Sequence, residues 1–309
     1  MTSEETEPGT DRLKPLIALA GTNASGKSGL AVRLAKRYGG EIVSADSRQV
    51  YRGLDLGSGK ITPEETQGVP HHLLNVLDPG EFFSMAEFQR LAYAAIDGMH
   101  SRGKLPFLAG GTGLYVDSVA EGYVLSDVQP DLRYRGRLEA LSTPELYRML
   151  CELRPEPDVD AHNRNRVMRR LEQLQAGDPG HGGRRPRYRV LKLGITWPRA
   201  ELCRRIDERL EKRMADGMLS EVRGLLEQGV SPAFLRRLGL EYRYLSAYLL
   251  GEIPTEAEML DELSRAIKRF AKRQMTWFRR DAAIRWLDMQ ADPYAEACGA
   301  IDSFLGGTA

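Results

Sequence analysis

The chain has 309 residues, and its 42% apolar content is enough to fill the core of one large domain or of a main domain that carries a smaller one. Its 44 basic and 43 acidic residues leave a net charge of +1, so any nucleic-acid surface must come from local clustering. The three cysteines (Cys151, Cys203 and Cys298) lack CxxC spacing, which argues against a zinc module, gives no sign of a disulfide framework and favours a reducing cytoplasm.

The first half of the chain alternates short apolar runs with amphipathic stretches. Residues 1–12 are polar and acidic and are expected to fray, and no later apolar run approaches the ~18 residues that a membrane span requires. The predicted strands are residues 16–20, 41–45, 73–77 and 105–109, and the predicted helices are residues 27–38 and 84–100. Strands that alternate with helices predict a parallel sheet covered on both faces.

The second half begins with a change of character. Residues 131–175 are helical in pattern, rich in Arg and Glu, and end in a basic Gly/Pro-rich stretch over residues 177–189 that predicts a mobile connection. A predicted strand over residues 190–197 returns to the sheet, and Pro198 starts amphipathic helices that run to about Arg280. A last strand is predicted over residues 283–287. The helical stretch therefore predicts a domain inserted over residues 125–187, within a core made of residues 12–124 and 188–309.

The segment between the first predicted strand and helix fits GxxxxGK[ST] in full, in the context that this phosphate-binding motif requires. The motif comprises Gly21, Thr22, Asn23, Ala24, Ser25, Gly26, Lys27 and Ser28. Backbone N–H groups and the helix N-terminus converge on phosphate oxygens, Lys27 adds a point charge, and the Ser28 hydroxyl can ligate Mg²⁺. The predicted fold class is α/β: a P-loop NTPase-like parallel sheet core with an inserted all-helical domain and C-terminal helices. Which phosphate the loop binds stays open.

Two further strand ends refine the chemistry. The predicted strand before Gly110 runs into Gly-Gly-Thr-Gly and not into the Asp that completes the metal site of a nucleotide hydrolase, which disfavours plain NTP hydrolysis. The strand that ends at Ala45 puts Asp46 at the carboxyl edge of the sheet, where ligands collect in doubly wound folds. From position alone, Asp46 is a general base, a metal ligand or a helix N-cap.

Five blocks together resemble the tRNA dimethylallyltransferases, also called tRNA isopentenyltransferases: GTNASGKS, EIVSADSRQVYRGLDLGSGK, HHLLNVLDP, FLAGGTGLY and AKRQMTWFRRD. The resemblance runs from about Leu16 to Asp288. It implies that the P-loop holds the diphosphate of dimethylallyl diphosphate, with Mg²⁺ as cofactor. It also implies that an adenosine beside the anticodon of tRNA enters from the opposite side, in a monomeric cytoplasmic enzyme.

The resemblance also implies roles for residues around the reacting atoms. Asp46 is the general base that takes a proton as adenine N6 attacks the allylic carbon, and Thr112 is expected to hydrogen-bond near the reacting centre. The segment that contacts the target nucleotide comprises Asp46, Ser47, Arg48 and Gln49. Lys27, Ser28 with Mg²⁺, and Arg209 are expected to neutralise the departing diphosphate. A surface ion pair is the alternative for Arg209, and a turn or cap residue is the alternative for Thr112.

The tRNA contacts that the resemblance implies also lie in the insert and in the C-terminal helices. They are Asn165, Arg166, Val167, Met168, Arg169 and Arg243, with a basic stripe of Arg265, Lys268, Arg269, Lys272 and Arg273. The chain departs from the family pattern at Arg164, Arg170 and Thr22-Asn23, and where Gly239-Leu240-Glu241-Tyr242-Arg243 replaces a Gly-Tyr-Arg-Gln run. The added arginines predict tighter phosphate contacts or a solvated helix face.

Three other functions remain open at this stage. An adenylate isopentenyltransferase acting on free AMP, ADP or ATP needs no RNA surface, so the helical insert and the basic C-terminal helices argue against it. A small-molecule P-loop kinase is disfavoured by the GGTGLY block. The presence of Lys27, Ser28, Asp46 and Thr112 argues against a non-catalytic RNA-binding protein.

Overall fold

The computed structural model describes residues 13–126, 128, 131–178 and 182–306. The start that is expected to fray, residues 1–12, lies outside the described residues, as do residues 179–181 within the predicted mobile connection. The chain divides into two compact units. The first joins the chain up to Glu121 to the chain from Pro186 onward, and the second is Gly122–Arg185.

The first unit is built on a parallel sheet. Within the described residues its strands are β1 Pro15–Gly21, β2 Glu41–Ser44, β3 His71–His72, β4 Pro106–Gly110, β5 Arg189–Thr196 and β6 Arg285–Asp288. They lie in the order β3-β2-β4-β1-β5-β6, and every neighbouring pair is parallel. The predicted α/β fold class is confirmed.

The described helices are α1 Lys27–Tyr38, α2 Pro63–Thr66, α3 Met85–Ser101, α4 Gly113–Ala120, α5 Leu132–Glu139, α6 Thr143–Leu153, α7 Arg164–Gln175, α8 Arg199–Ala215, α9 Met218–Glu227, α10 Pro232–Leu238, α11 Leu240–Leu249, α12 Glu256–Phe278 and α13 Pro293–Gly306. None of these helices combines the length and the apolar character needed to cross a bilayer.

Alternation along the strands creates two buried faces. Ile17 and Leu19 of β1 pack in a cluster with α1 and α13, whereas Leu16 and Ala18 pack with α3 and α4. Because successive strand side chains point to opposite faces, a continuous apolar run such as that of β1 requires helices on both sides. A separate apolar cluster joins helices α8 to α12 and includes Tyr242.

The predicted strand over residues 73–77 is wrong. β3 ends at His72, and the next residues leave the extended conformation because Leu73 and Asn75 have φ angles of 64° and 56°. The segment then pairs with another loop: Val76 N–H donates to Val50 O at 2.7 Å, and Leu77 forms an isolated bridge with Tyr51. The apolar residues there seal a loop and do not extend the sheet.

In its described part the second unit packs three helices, α5 to α7, over a core that includes Leu146, Leu150 and Leu171. Arg164 begins α7, and its guanidinium donates to the carbonyl oxygens of Leu138, Glu139 and Leu141 at 3.3, 3.0 and 2.5 Å. These carbonyls lie at and beyond the end of α5, where a helix has no internal donors left. The Arg164 departure therefore ties two helices together and does not supply a free cation.

We expect Gly40→Ala to destabilise the fold. The added Cβ would lie 2.4 Å from Leu105 O and 2.6 Å from the Phe107 ring, where β2 and β4 begin. Relief of that overlap should lower the free energy of unfolding by about 1–3 kcal/mol, measured by urea denaturation. Gly224→Ala is the control: the site in α9 is open, and the change should raise stability by about 0.5–1 kcal/mol. Equal effects of both changes would contradict this reading.

Candidate active site

The loops after β1, β2 and β4 meet at one edge of the sheet, because parallel strands end on the same side. Ala45 N–H donates to Ala109 O at 2.9 Å, and Thr112 N–H donates to Ala45 O at 3.3 Å. A Cβ on Gly110 would lie 2.1 Å from Ala45 O, so only glycine permits this approach. The structure thereby brings the P-loop, Asp46 and Thr112 to one edge, where ligands collect in folds of this class.

The P-loop turns into α1 with Ala24 and Gly26 at φ angles of 59° and 87°. Its outer carbonyls are tied down: Trp197 Nε1 donates to Ser25 O at 2.9 Å, and Arg205 Nε donates to Ala24 O at 3.1 Å. The first N–H groups of α1 have no partner within the helix. The buried Ser25 hydroxyl also lacks a partner among the described residues. These groups form a nest of donors suited to an anion.

Gln274 joins the P-loop to the loop after β4. Its Oε1 accepts from Asn23 N–H at 3.0 Å, and its Nε2 donates to Gly111 O at 2.7 Å, from a buried position on α12. No motif in the sequence singled out Gln274. One signal could have identified Gln274: its amide lies among the buried positions of α12, where a polar group needs hydrogen-bond partners.

Lys27 and Asp46 line the same pocket beside the P-loop. Burial lowers the pKa of the Lys27 ammonium to about 8, and the charges of Arg209 and Arg48 add to this decrease against the pull of Asp46. Burial opposes ionisation of Asp46, but the charge of Arg48, its backbone N–H and the charge of Lys27 outweigh it, so the pKa of this carboxyl is lowered. Asp46 is therefore a carboxylate that can accept a proton.

The hydrogen bonds of Asp46 all involve one oxygen. Oδ1 accepts from Arg48 N–H at 3.0 Å and from Arg48 Nε at 3.4 Å, whereas Oδ2 has no hydrogen-bond partner among the described residues. The N-cap alternative for Asp46 does not hold, since the residues after it form turns and no helix. One carboxylate oxygen is thus left for a ligand.

Arg48 is directed inward. Its side chain is 11% exposed, and Nη1 donates to Glu241 Oε2 at 2.7 Å. The guanidinium, predicted to lie in the segment that contacts the target nucleotide, is thus engaged by two carboxylates of the protein. Glu241 was noted in the sequence only as a departure from the family pattern.

Thr112 and Gln49 hold the loop that carries Asp46. Thr112 is the N-cap residue of α4, as the cap alternative predicts, but its hydroxyl makes no cap hydrogen bond and instead accepts from Ser47 N–H at 3.4 Å. Gln49 accepts from the Ser44 hydroxyl at 2.8 Å and donates to Gly59 O at 3.2 Å. The side chains of Thr112 and Gln49 therefore hold the loop after β2 in place.

Arg209 lines both the pocket that contains Asp46 and a second, larger pocket against the P-loop. This second pocket has a volume of about 490 Å³, and its basic lining residues are Lys27, Arg205, Arg209 and Lys212. Arg209 donates to Gly59 O at 3.2 Å and has no ion-pair partner among the described residues, so the surface ion-pair alternative does not hold. Its surroundings lower its pKa to about 10, through loss of hydration and repulsion from Arg213.

The residues predicted to touch tRNA in the second unit differ in exposure. Asn165 and Arg166 are exposed, and Arg169 donates to Val128 O at 2.8 Å from a half-buried position. Val167 and Met168 are correctly placed on α7 but face its apolar core, at 0% and 2% exposure. We correct the prediction for these two side chains: they pack the unit and present no surface to RNA.

Arg243, which belongs to the first unit, is exposed on α11. Its Nε donates to Arg236 O at 3.0 Å, which links α11 to the preceding helix. The charge of this side chain remains accessible, and its predicted role in RNA binding stays a prediction.

Residues 49–281 match the family model described as IPP transferase. A tRNA dimethylallyltransferase 2 of Pelobacter propionicus is 44% identical over 91% of this chain and 92% of its own length. The chain belongs to the IPP transferase family. A tRNA dimethylallyltransferase of Thermomicrobium roseum is 42% identical over 90% of this chain and 88% of that protein.

Solved structures of the IPP transferase family are similar along nearly the whole chain. The full-length tRNA isopentenylpyrophosphate transferase of Bacillus halodurans is 38% identical, covers 96% of both chains and superposes with a TM-score of 0.71. A tRNA isopentenylpyrophosphate transferase of Staphylococcus epidermidis is 31% identical. The match covers 94% of this chain and 99% of that chain, with a TM-score of 0.70. The resemblance seen in the sequence is confirmed.

We expect inorganic diphosphate to bind at the P-loop of this IPP transferase family member, with an affinity that depends on the charge of Lys27. Lys27→Gln should weaken binding by about 1.5–3 kcal/mol below pH 8, where the ammonium is charged. The difference between wild type and variant should shrink as the pH rises through about 8, because the free protein then loses the Lys27 proton. Isothermal titration calorimetry over this range measures both affinities, and their ratio removes the ligand's own titration.

Lys36→Gln is the matched control for this experiment. It removes a lysine from the exposed end of the same helix, and its pH dependence should match that of the wild type. A ratio between wild type and Lys27→Gln that stays constant through pH 8 would contradict the lowered pKa.

Proposed function

We propose that the protein transfers the dimethylallyl group of dimethylallyl diphosphate to N6 of an adenosine adjacent to the anticodon of tRNA. The observation that carries this proposal is the pocket where a phosphate-binding loop lies beside a buried carboxylate with one unpaired oxygen. The names of its relatives, which are tRNA dimethylallyltransferases, support the same reaction.

The donor side of the site is suited to a diphosphate. The P-loop offers backbone N–H groups, and Lys27 and Arg209 add positive charge in the same pocket. Transfer leaves negative charge on the departing diphosphate, and groups already fixed around that position stabilise it without reorganisation.

The site also fits a magnesium ion. The Ser28 hydroxyl lines the pocket, is exposed and has no hydrogen-bond partner among the described residues. No group of three or more His, Cys, Asp or Glu in the described part of the chain is arranged to hold a metal. One protein oxygen suits Mg²⁺, which retains waters and binds substrate phosphates. When bound, it would neutralise part of the diphosphate charge.

The reaction is a displacement at the allylic carbon. The N6 lone pair bonds to that carbon as its bond to the diphosphate oxygen breaks, and the electron pair of the broken bond leaves with the diphosphate. The N6 proton passes to Oδ2 of Asp46, which the Arg48 contacts at Oδ1 leave open. The products are N6-dimethylallyladenosine in the RNA and free diphosphate.

Each of the two units has exposed cations that we propose as RNA-binding residues. In the second unit Arg166 is exposed on α7, beside Asn165. On α12 of the first unit, Arg269 and Lys272 are exposed and have no ion-pair partner among the described residues, whereas Lys268 pairs with Asp207 at 2.6 Å. Unpaired exposed cations can bind phosphates and release counterions.

A monomeric state and a cytoplasmic location stay predictions.

The test is a prenylation assay with two alternative acceptors, each in a separate reaction. The purified protein is incubated with dimethylallyl diphosphate, Mg²⁺ and either an anticodon stem-loop bearing a run of adenosines or free AMP. We expect mass spectrometry to show a five-carbon addition to the RNA and none to AMP. Addition to AMP alone would assign an adenylate isopentenyltransferase. A parallel reaction contains ATP, and ATP consumption there without either prenylated product would assign a kinase.

Asp46→Asn tests the general base. The variant keeps the shape of the side chain and loses the proton acceptor, so kcat should fall by about 10²–10⁴-fold while RNA affinity stays within about twofold. Asp55→Asn is the control, because Asp55 is an exposed carboxylate in the same loop and pairs with Lys60. A loss of RNA affinity in Asp46→Asn as large as its loss of kcat would contradict the assignment.

A further inference from the structure

Glu241 is a buried carboxylate that faces the active-site loop from outside the sheet. It lies in the first turn of α11 and is 2% exposed. Oε2 accepts from Arg48 Nη1 at 2.7 Å, and Oε1 accepts from Arg213 Nη1 at 3.4 Å. Burial opposes its ionisation, but Arg48 and Arg213 outweigh that cost, so the pKa of Glu241 is lowered and the group is charged.

Arg48 lies between two carboxylates and is held from both sides. Nε and the backbone N–H face Oδ1 of Asp46, and Nη1 faces Glu241. Gly239 makes room for the stem, since a Cβ there would lie 2.8 Å from Arg48 Cδ. The position of the guanidinium thus depends on a helix far along the chain and not on its own loop alone.

The two carboxylates engage different donors of the same guanidinium. A guanidinium that meets one carboxylate prefers to engage both of its oxygens through two parallel hydrogen bonds. Arg48 instead gives Asp46 only its Nε and backbone donors, both to Oδ1, and gives one terminal nitrogen, Nη1, to Glu241. Oδ2 of Asp46 is thereby left without a partner among the described residues.

We propose that Glu241 is a positioning residue for the transfer reaction, which holds Nη1 of Arg48, and with it the guanidinium, away from Oδ2 of Asp46 so that this oxygen can accept the N6 proton. The inference rests on the proposed function and adds a role that neither the P-loop nor the loop after β2 supplies. Without the charge of Glu241, Asp46 is the carboxylate that Arg48 still contacts, and the guanidinium turns to it.

Nearby charges favour that rearrangement. Lys27 faces Asp46 from the P-loop, and Arg209 and Arg213 face Glu241 from α8. Loss of the Glu241 charge therefore leaves an excess of cations around Asp46, the remaining carboxylate in the lining of this pocket. Arg48 can then occupy both oxygens of the base, which slows proton transfer without removing any diphosphate ligand.

Glu241→Gln tests the proposal with little change in shape. In the prenylation assay with the stem-loop, kcat should fall about tenfold or more, which is part of the contribution of a general base. KM for dimethylallyl diphosphate should stay within about threefold, because the P-loop donors are untouched. Thermal melting establishes that the variant is folded.

A second substitution separates positioning from support of the fold. Arg48→Met removes the guanidinium that would capture Asp46, so Glu241→Gln should cost less than about threefold in kcat when added to Arg48→Met. Purely structural support by Glu241 would instead give the same loss in both backgrounds. That result, or a wild-type kcat in Glu241→Gln alone, would overturn the proposal.

Glu221→Gln is the matched control. Glu221 accepts from the N–H groups of Asp55, Leu56 and Gly57 at 3.0, 2.6 and 2.9 Å, and thus supports the same loop without contacting Arg48. Its variant should lower the melting temperature, and Arg48→Met should not relieve any loss of kcat. An inactive wild type would overturn the proposed function together with this role, whereas an active wild type with unaffected Glu241→Gln would overturn this role alone.

Discussion

Parallel pairing of the central strands is the constraint on which the candidate site depends. β1 lies between β4 and β5, and β2 pairs with β4, so the P-loop, Asp46 and Thr112 all follow strands that end on one edge. The P-loop, Asp46 and Thr112, which are distant in the chain, therefore lie close together without a long connecting loop. The close approach of Gly110 to Ala45 shows how tightly this edge is packed.

Charge balance is the second level of organisation. One pocket brings four cations (Lys27, Arg48, Arg209 and Arg213) together with the carboxylates of Asp46 and Glu241. Burial makes each charge costly. The neighbouring cations outweigh this cost for Asp46 and Glu241, so the pKa values of both carboxyls are lowered. Burial lowers the pKa of Lys27 to about 8. The surplus of positive charge suits a diphosphate, and the carboxylate that remains open suits proton transfer.

Local sequence signals predicted structure correctly, whereas contacts between residues far apart in the chain could not be predicted from the sequence. The P-loop, its helix and the first two strands could be predicted because apolar runs, glycines and a motif occur within a few residues of one another. Residues 73–77 show the opposite case, since their apolar pattern fits both a strand and a sealed loop. Val167 and Met168 carry a family pattern for RNA contact, yet the helix turns them into the core of their unit.

The sequence by itself determined the parallel α/β fold class, the phosphate-binding loop and membership of the IPP transferase family, because each depends on short segments of defined order. Only the tertiary structure decided which buried charges and amides pair. Arg48 and Glu241 are 193 residues apart, and Asn23 and Gln274 are 251 apart, yet each pair is joined by a hydrogen bond. A buried charge or amide must have a partner to avoid a large cost in free energy. Which residue becomes that partner depends on the tertiary fold, because the fold brings distant segments of the chain into contact.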